Sequence, residues 1–81
     1  MSAVVVARAK LTVEEVAELL RCSTWTIWDW ARKGEIPHRK PPGKRRLLFD
    51  PAELDAWQDG AELEIKRWGR DGRIVRPKGA S

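Results

Sequence analysis

Leu11-Thr12-Val13-Glu14-Glu15-Val16-Ala17-Glu18-Leu19-Leu20-Arg21-Cys22-Ser23-Thr24-Trp25-Thr26-Ile27-Trp28-Asp29-Trp30-Ala31-Arg32-Lys33-Gly34 reads as two helices with almost nothing between them. Thr12 followed three residues later by Glu15 is a capping box, in which the threonine caps the helix and the glutamate reaches back. Val13, Val16, Leu19 and Leu20 then recur at helical spacing, with Glu14, Glu15 and Glu18 on the other face. The first helix is expected from about Val13 to Arg21. Ser23 is a second N-cap, and its helix is expected to run to about Lys33, where Gly34 offers a left-handed stop. On that second helix Ile27, Trp30 and Ala31 share one face, and Trp25, Trp28, Asp29 and Arg32 share the opposite one. An outward face with two tryptophans is a candidate contact surface.

Downstream, Ile36-Pro37 opens an extended stretch, Pro41-Pro42-Gly43 is a turn, and Lys44 to Phe49 reads as a returning strand. Ile36, Leu47 and Phe49 can face the core while the basic residues point into solvent. Asp50-Pro51-Ala52-Glu53 is another capping signature, with proline at the first helical position. Leu54, Trp57, Ala61, Ile65 and Trp68 recur at spacings of three or four, so a third helix is expected from Pro51 to about Gln58, with an extension past Gly60 towards Trp68 left open. Asp71-Gly72 is a turn signal. Residues 69–81 are too poor in apolar side chains to order themselves, and the domain is expected to fold without them.

Charge is segregated along the chain. Residues 38–46 hold Arg39, Lys40, Lys44, Arg45 and Arg46 with no acid. Residues 50–64 hold six acids and no base, and residues 66–78 hold six bases against Asp71 alone. The net charge is +4, which favours an anionic partner. The chain has 81 residues, enough for one small domain with a thin core and no deep pocket. One cysteine, Cys22, allows neither an internal disulfide nor a cysteine-based zinc site, and one histidine, His38, excludes a His-pair metal site. No nucleophile–base set can be assembled, so no enzyme, cofactor, metal or small-molecule substrate is expected. No apolar run approaches the about 18 residues of a membrane helix, and Met1 to Ala9 is too short for a secretory leader.

Helix, tight turn, helix, basic hairpin and helix is the order of a winged helix-turn-helix. Leu11 to Trp57 resembles the excisionase-type, MerR-like family of DNA-binding domains. The matching pieces are Leu11 to Leu20, Cys22-Ser23-Thr24-Trp25-Thr26-Ile27, Lys33-Gly34-Glu35-Ile36-Pro37, Arg45-Arg46, and Phe49 to Trp57. Ala17 supplies the small residue where the helices approach, and Arg21 stands where the pattern usually has glycine. The resemblance implies a mainly α fold with a small β-hairpin. It divides the chain into an N-terminal arm at 1–10, the winged domain at 11–60, and a helix extension with a basic tail at 61–81. It implies that the second helix enters the major groove of double-stranded DNA with Ser23, Thr24, Trp25, Thr26, Trp28, Asp29, Arg32 and Lys33 as candidate contacts. Arg39, Lys40, Lys44, Arg45 and Arg46 become wing contacts. Asp29 either accepts from a cytosine amino group or orients Arg32 from three residues before it.

The roles implied are an excisionase that bends attachment-site DNA for an integrase, a transcriptional regulator, or the DNA-recognition head of a phage terminase small subunit. An integrase or further protomers on adjacent sites are the expected protein partners, in a bacterial or phage-encoded, cytoplasmic setting. A protein-docking module built on Trp25, Trp28 and Trp68 is a fourth reading, which the basic wing disfavours.

Overall fold

The caps dictate where the first helices begin. The computed structural model describes residues 10–79. The N-terminal arm expected over residues 1–10 lies outside the described residues, apart from Lys10. Helix α1 spans Val13–Leu20. Thr12 Oγ1 accepts from the Glu15 N–H at 3.2 Å, and Glu15 Oε1 accepts from the Thr12 N–H at 2.8 Å. Arg21 then takes the left-handed conformation, with φ 58° and ψ 47°. The Arg21 and Cys22 N–H groups reach back to the Glu18 and Ala17 carbonyls at 3.2 and 2.9 Å, which ends the helix and reverses the chain. Helix α2 spans Thr24–Arg32, capped by Ser23, whose Oγ accepts from the Thr26 N–H at 3.2 Å.

The two helices bury Val16 and Ala17 of α1 against Ile27 and Ala31 of α2, each at most 5% exposed. Ile36, Leu47 and Phe49 add to that core, with Leu54 of helix α3, Pro51–Gln58. Asp50 caps α3 by accepting from the Ala52 N–H at 2.9 Å. Trp30 closes the edge of the core against Trp57, their rings edge-to-face at 5.8 Å and 65°.

Strand β1 is short, His38–Lys40. Arg39 exchanges two backbone hydrogen bonds with Leu48, at 2.8 and 2.9 Å. The returning strand expected over Lys44–Phe49 is thus reduced to its last residues. Pro41 and Pro42 have no N–H to donate, so the ladder cannot continue beyond Lys40, and Lys44 to Arg46 run as an exposed loop.

Residues 61–81 are the main correction to the sequence reading. Neither a helical extension nor a structureless tail is found over the described part. Gly60 takes φ 97° and ends α3, and the chain then forms strands β2, Leu63–Trp68, and β3, Gly72–Pro77. All pairings are antiparallel and the order is β1-β3-β2, so the last strand lies in the middle of the sheet. Val75, opposite both His38 and Ile65, is fully buried. Across the hairpin, Arg76 Nε donates to Glu64 Oε2 at 2.9 Å and the Lys78 N–H donates to the Glu62 carbonyl at 2.7 Å. Only glycine fits at 72: a Cβ there would collide with the Trp68 carbonyl oxygen and lie 2.8 Å from that of Lys40.

Three stability outcomes are expected in chemical denaturation. Val75→Ala should cost about 2–3 kcal/mol, the transfer of two carbons plus the cavity left. Removing residues 69–81, which takes away the central strand, should leave no cooperative transition, contrary to the expectation from sequence. Arg21→Gly should add about 1 kcal/mol by relieving the left-handed backbone.

Candidate nucleic-acid interface

Helix α2 divides its side chains as its period demands. Ile27 and Ala31 are buried, while Trp25 is 69% exposed and Trp28 44%. Ser23 and Thr24 are exposed at the N-terminus, and Thr26 is half-buried with its hydroxyl 3.0 Å from that of Ser23. Trp25 and Trp28 thus form an exposed apolar patch on α2, a candidate contact surface.

Asp29 sits under this face. Its side chain is only 14% exposed and pairs with Arg32 through one oxygen and with Lys33 at 3.1 Å through the other. Of the two roles open to Asp29, orienting Arg32 is the one its geometry serves. Arg32 itself remains 72% exposed, with its guanidinium at the end of the tryptophan face.

The wing residues separate into two groups. Lys44, Arg45 and Arg46 are exposed and pair with no carboxylate among the described residues. Arg45 and Arg46 line a groove with Trp28, Leu47 and the start of α1 at Thr12 to Glu14. Arg39 and Lys40 are different. Arg39 forms a two-pronged pair with Glu53 of α3 at 2.8 and 2.9 Å, half-buried on both sides. Its alternation along β1 turns it away from the tryptophan face, so it braces α3 against the sheet. Lys40 donates from Nζ to the Asp71 carbonyl at 3.1 Å, which ties it to the β2–β3 turn.

A second groove joins α2 to the sheet, lined by Trp28, Ala31, Arg32, Leu47, Lys40 and Arg73. Arg73 is the residue that sequence reading missed, having assigned it to a loose basic tail. Its Nη2 donates to the Ala31 carbonyl at 3.3 Å, at the end of α2, and its Nε donates to His38 Nε2 at 3.3 Å. A cation at the helix C-terminus meets orphan carbonyls and the negative end of the helix dipole. His38 is fully buried, and its Nδ1 lies 2.8 Å from the Ile36 carbonyl. Since Nε2 accepts from Arg73, Nδ1 carries the proton and donates to Ile36, so the imidazole is neutral. The available signal for Arg73 was the pair of β-type runs, Leu63 to Trp68 and Arg73 to Pro77, around Gly69-Arg70-Asp71-Gly72.

Burial holds the His38 pKa below its ordinary value, and the Arg73 charge adds to this against the opposing Ile36 hydrogen bond. The unfolded chain therefore takes up the proton first as pH falls through about 6.5. The stability contributed by neutral His38 is fully present above that pH and is lost as pH falls from there towards the depressed folded value. Denaturation at pH 7.5 and 5.5 should show this loss in the native chain and a smaller one in His38→Gln.

Among the described residues no helix is long and apolar enough to cross a membrane, and no cluster of side chains could hold a metal ion. Three helices and a three-stranded antiparallel sheet, with a recognition-type second helix and a basic wing beside it, make a winged helix-turn-helix. No curated protein and no solved structure matches the chain. The helix-turn-helix domain family does, over residues 11–61, and the chain belongs to this DNA-binding family.

Proposed function

We propose that the protein is an excisionase-type factor that binds specific duplex DNA and bends it for an integrase. The observation that carries the DNA-reading surface is the exposed Trp25–Trp28–Arg32 face of α2 flanked by Arg45 and Arg46, which form no ion pair among the described residues. A helix of this size fits the major groove, where its first turns reach base edges. Ser23 and Thr24 present hydroxyls and free backbone N–H groups to a phosphate at the helix start. Trp25 packs on a thymine methyl, and Arg32, aimed by Asp29, donates in two-pronged fashion to a guanine. Lys33 takes a phosphate at the far end. Lys44, Arg45 and Arg46 hold the backbone or enter a narrow minor groove. Thr26 and Asp29 support the contacts of their neighbours.

The excisionase assignment rests on the family resemblance of residues 11–57. The helical extension that would favour a terminase head is replaced by β2 and β3. A transcriptional regulator would use the same surface, and the experiment separates the two. Footprinting on attachment-site DNA should show several adjacent protected sites and a bend, and excision by the integrase should depend on the protein. Protection of a lone promoter site without bending, and excision indifferent to the protein, would refute the assignment.

Binding should weaken steeply with salt. The wing and α2, with about four phosphate contacts, should contribute about −4 to the slope of log K against log salt, roughly −0.9 per contact. Arg32→Ala should reduce discrimination at particular base pairs by about 1–3 kcal/mol, whereas Lys44→Ala should weaken specific and random DNA alike. Equal losses on every sequence for Arg32→Ala would remove it from the base-reading set.

A further inference from the structure

The sheet register sets three cations side by side. Lys40 of β1 is opposite Arg73 of β3, and Arg73 is opposite Arg67 of β2. Directly opposed side chains on one sheet face lie about 5 Å apart, and like charges so placed repel. The neighbours do little to neutralise the row. Arg73 spends its hydrogen bonds on the neutral acceptors His38 Nε2 and the Ala31 carbonyl. Lys40 has one carboxylate, Asp71, no nearer than 3.9 Å. Arg67 is exposed and pairs with no carboxylate among the described residues, as is Arg70 on the adjoining turn.

The row is also fixed in place relative to α2. Lys40 and Arg73 line one groove with Trp28, Leu47 and Arg32. Trp28 and Leu47 form the wall this groove shares with the one lined by Arg45 and Arg46. The β2–β3 turn is clipped to the wing: the Gly43 N–H donates to Asp71 Oδ1 at 2.9 Å, and the Pro42 ring would lie 2.9 Å from a Cβ on Gly69. The cationic surface is therefore continuous from Arg45 and Arg46, past Trp28 and Arg32, to Lys40, Arg73, Arg67 and Arg70.

We infer that the β2–β3 hairpin is a second wing, whose Arg67 and Arg70 take the phosphate backbone of the duplex that α2 reads. Duplex DNA is the partner that fits, because a row of phosphates supplies spaced negative charge along a rigid surface. A self-repelling row kept on the face of the recognition helix gains its compensation on binding. This inference rests on the proposed DNA-reading face of α2 and extends it to a part of the chain beyond the matched helix-turn-helix.

Lys66 provides the control. It neighbours Arg67 and is exposed, but strand alternation puts it on the other face of the sheet. Binding of the full chain and its variants to specific and random duplexes should be titrated at several salt concentrations. The double variant Arg67→Ala/Arg70→Ala should lose roughly tenfold on both DNAs at about 0.1 M salt. Its log–log salt slope should be shallower by about 2. Lys66→Ala should stay near the native value. Thermal melts should show both variants folded, with Arg67→Ala melting slightly higher than the native chain at low salt and equal to it at high salt, as relief of repulsion requires. A double variant that binds like the native chain, while Arg45→Ala/Arg46→Ala binds weakly, would overturn the second wing and leave the α2 reading intact. So would Lys66→Ala and Arg67→Ala losing equally, since only net charge would then matter. A native chain that binds no duplex at any salt would overturn the underlying reading itself.

Discussion

His38 lies opposite Val75, and from that pairing β3 takes the middle of the sheet. Val75 is fully buried under the sheet, and two residues earlier on the same face Arg73 reaches the end of α2. One strand thus connects the hydrophobic core, the buried histidine and the carbonyl that closes the recognition helix. Without β3, β1 would be a three-residue strand held only by its bridge to Leu48. The helix end would then depend on Lys33 and Gly34 alone. The orientation of α2 relative to the wing is a property of the last strand, far away in sequence.

The charge blocks of the sequence become a sorting of faces. The acidic block at 50–64 pairs with cations from other segments: Asp50 takes Lys10, Glu53 takes Arg39, Glu62 takes Lys78 and Glu64 takes Arg76. Most of these pairs are surface bridges and contribute little to stability; the half-buried Arg39–Glu53 fork is the exception. Their larger effect is to occupy those cations, whereas Lys44, Arg45, Arg46, Arg67 and Arg70 pair with no carboxylate among the described residues.

How far the sequence could be read follows from which forces are local. Thr12–Glu15, Ser23 and Asp50 cap helices through contacts within three residues, and each was legible. So were the burial of Ile27 and Ala31 and the exposure of Trp25, since a helical period needs no partner to be seen. Arg21, expected as the last residue of the first helix, instead takes a positive φ at the position where glycine is usual. The C-terminal hairpin was not legible in the same way. Leu54, Trp57, Ala61, Ile65 and Trp68 fit a helical spacing by coincidence across Gly60, and that pattern competed with the true alternation of β2. The role of Val75 depends on β1, some 35 residues earlier in the chain, and no local pattern encodes that pairing. The pairing of Arg39 was hidden for the same reason: its partner Glu53 lies 14 residues away.

Arg32 shows how the same geometry both prepares and restrains the proposed contact. Asp29 is mostly shielded from water and holds Arg32 and Lys33 together at the end of α2. That ordering removes rotamer freedom before binding, so less is lost when the guanidinium meets a base. The same carboxylate competes for the donors that a guanine would need. A planar guanidinium has five N–H groups, enough to keep one on Asp29 while two face a base edge, whereas a lysine ammonium would have to choose. In the proposed contact the Asp29 carboxylate therefore favours arginine over lysine at 32.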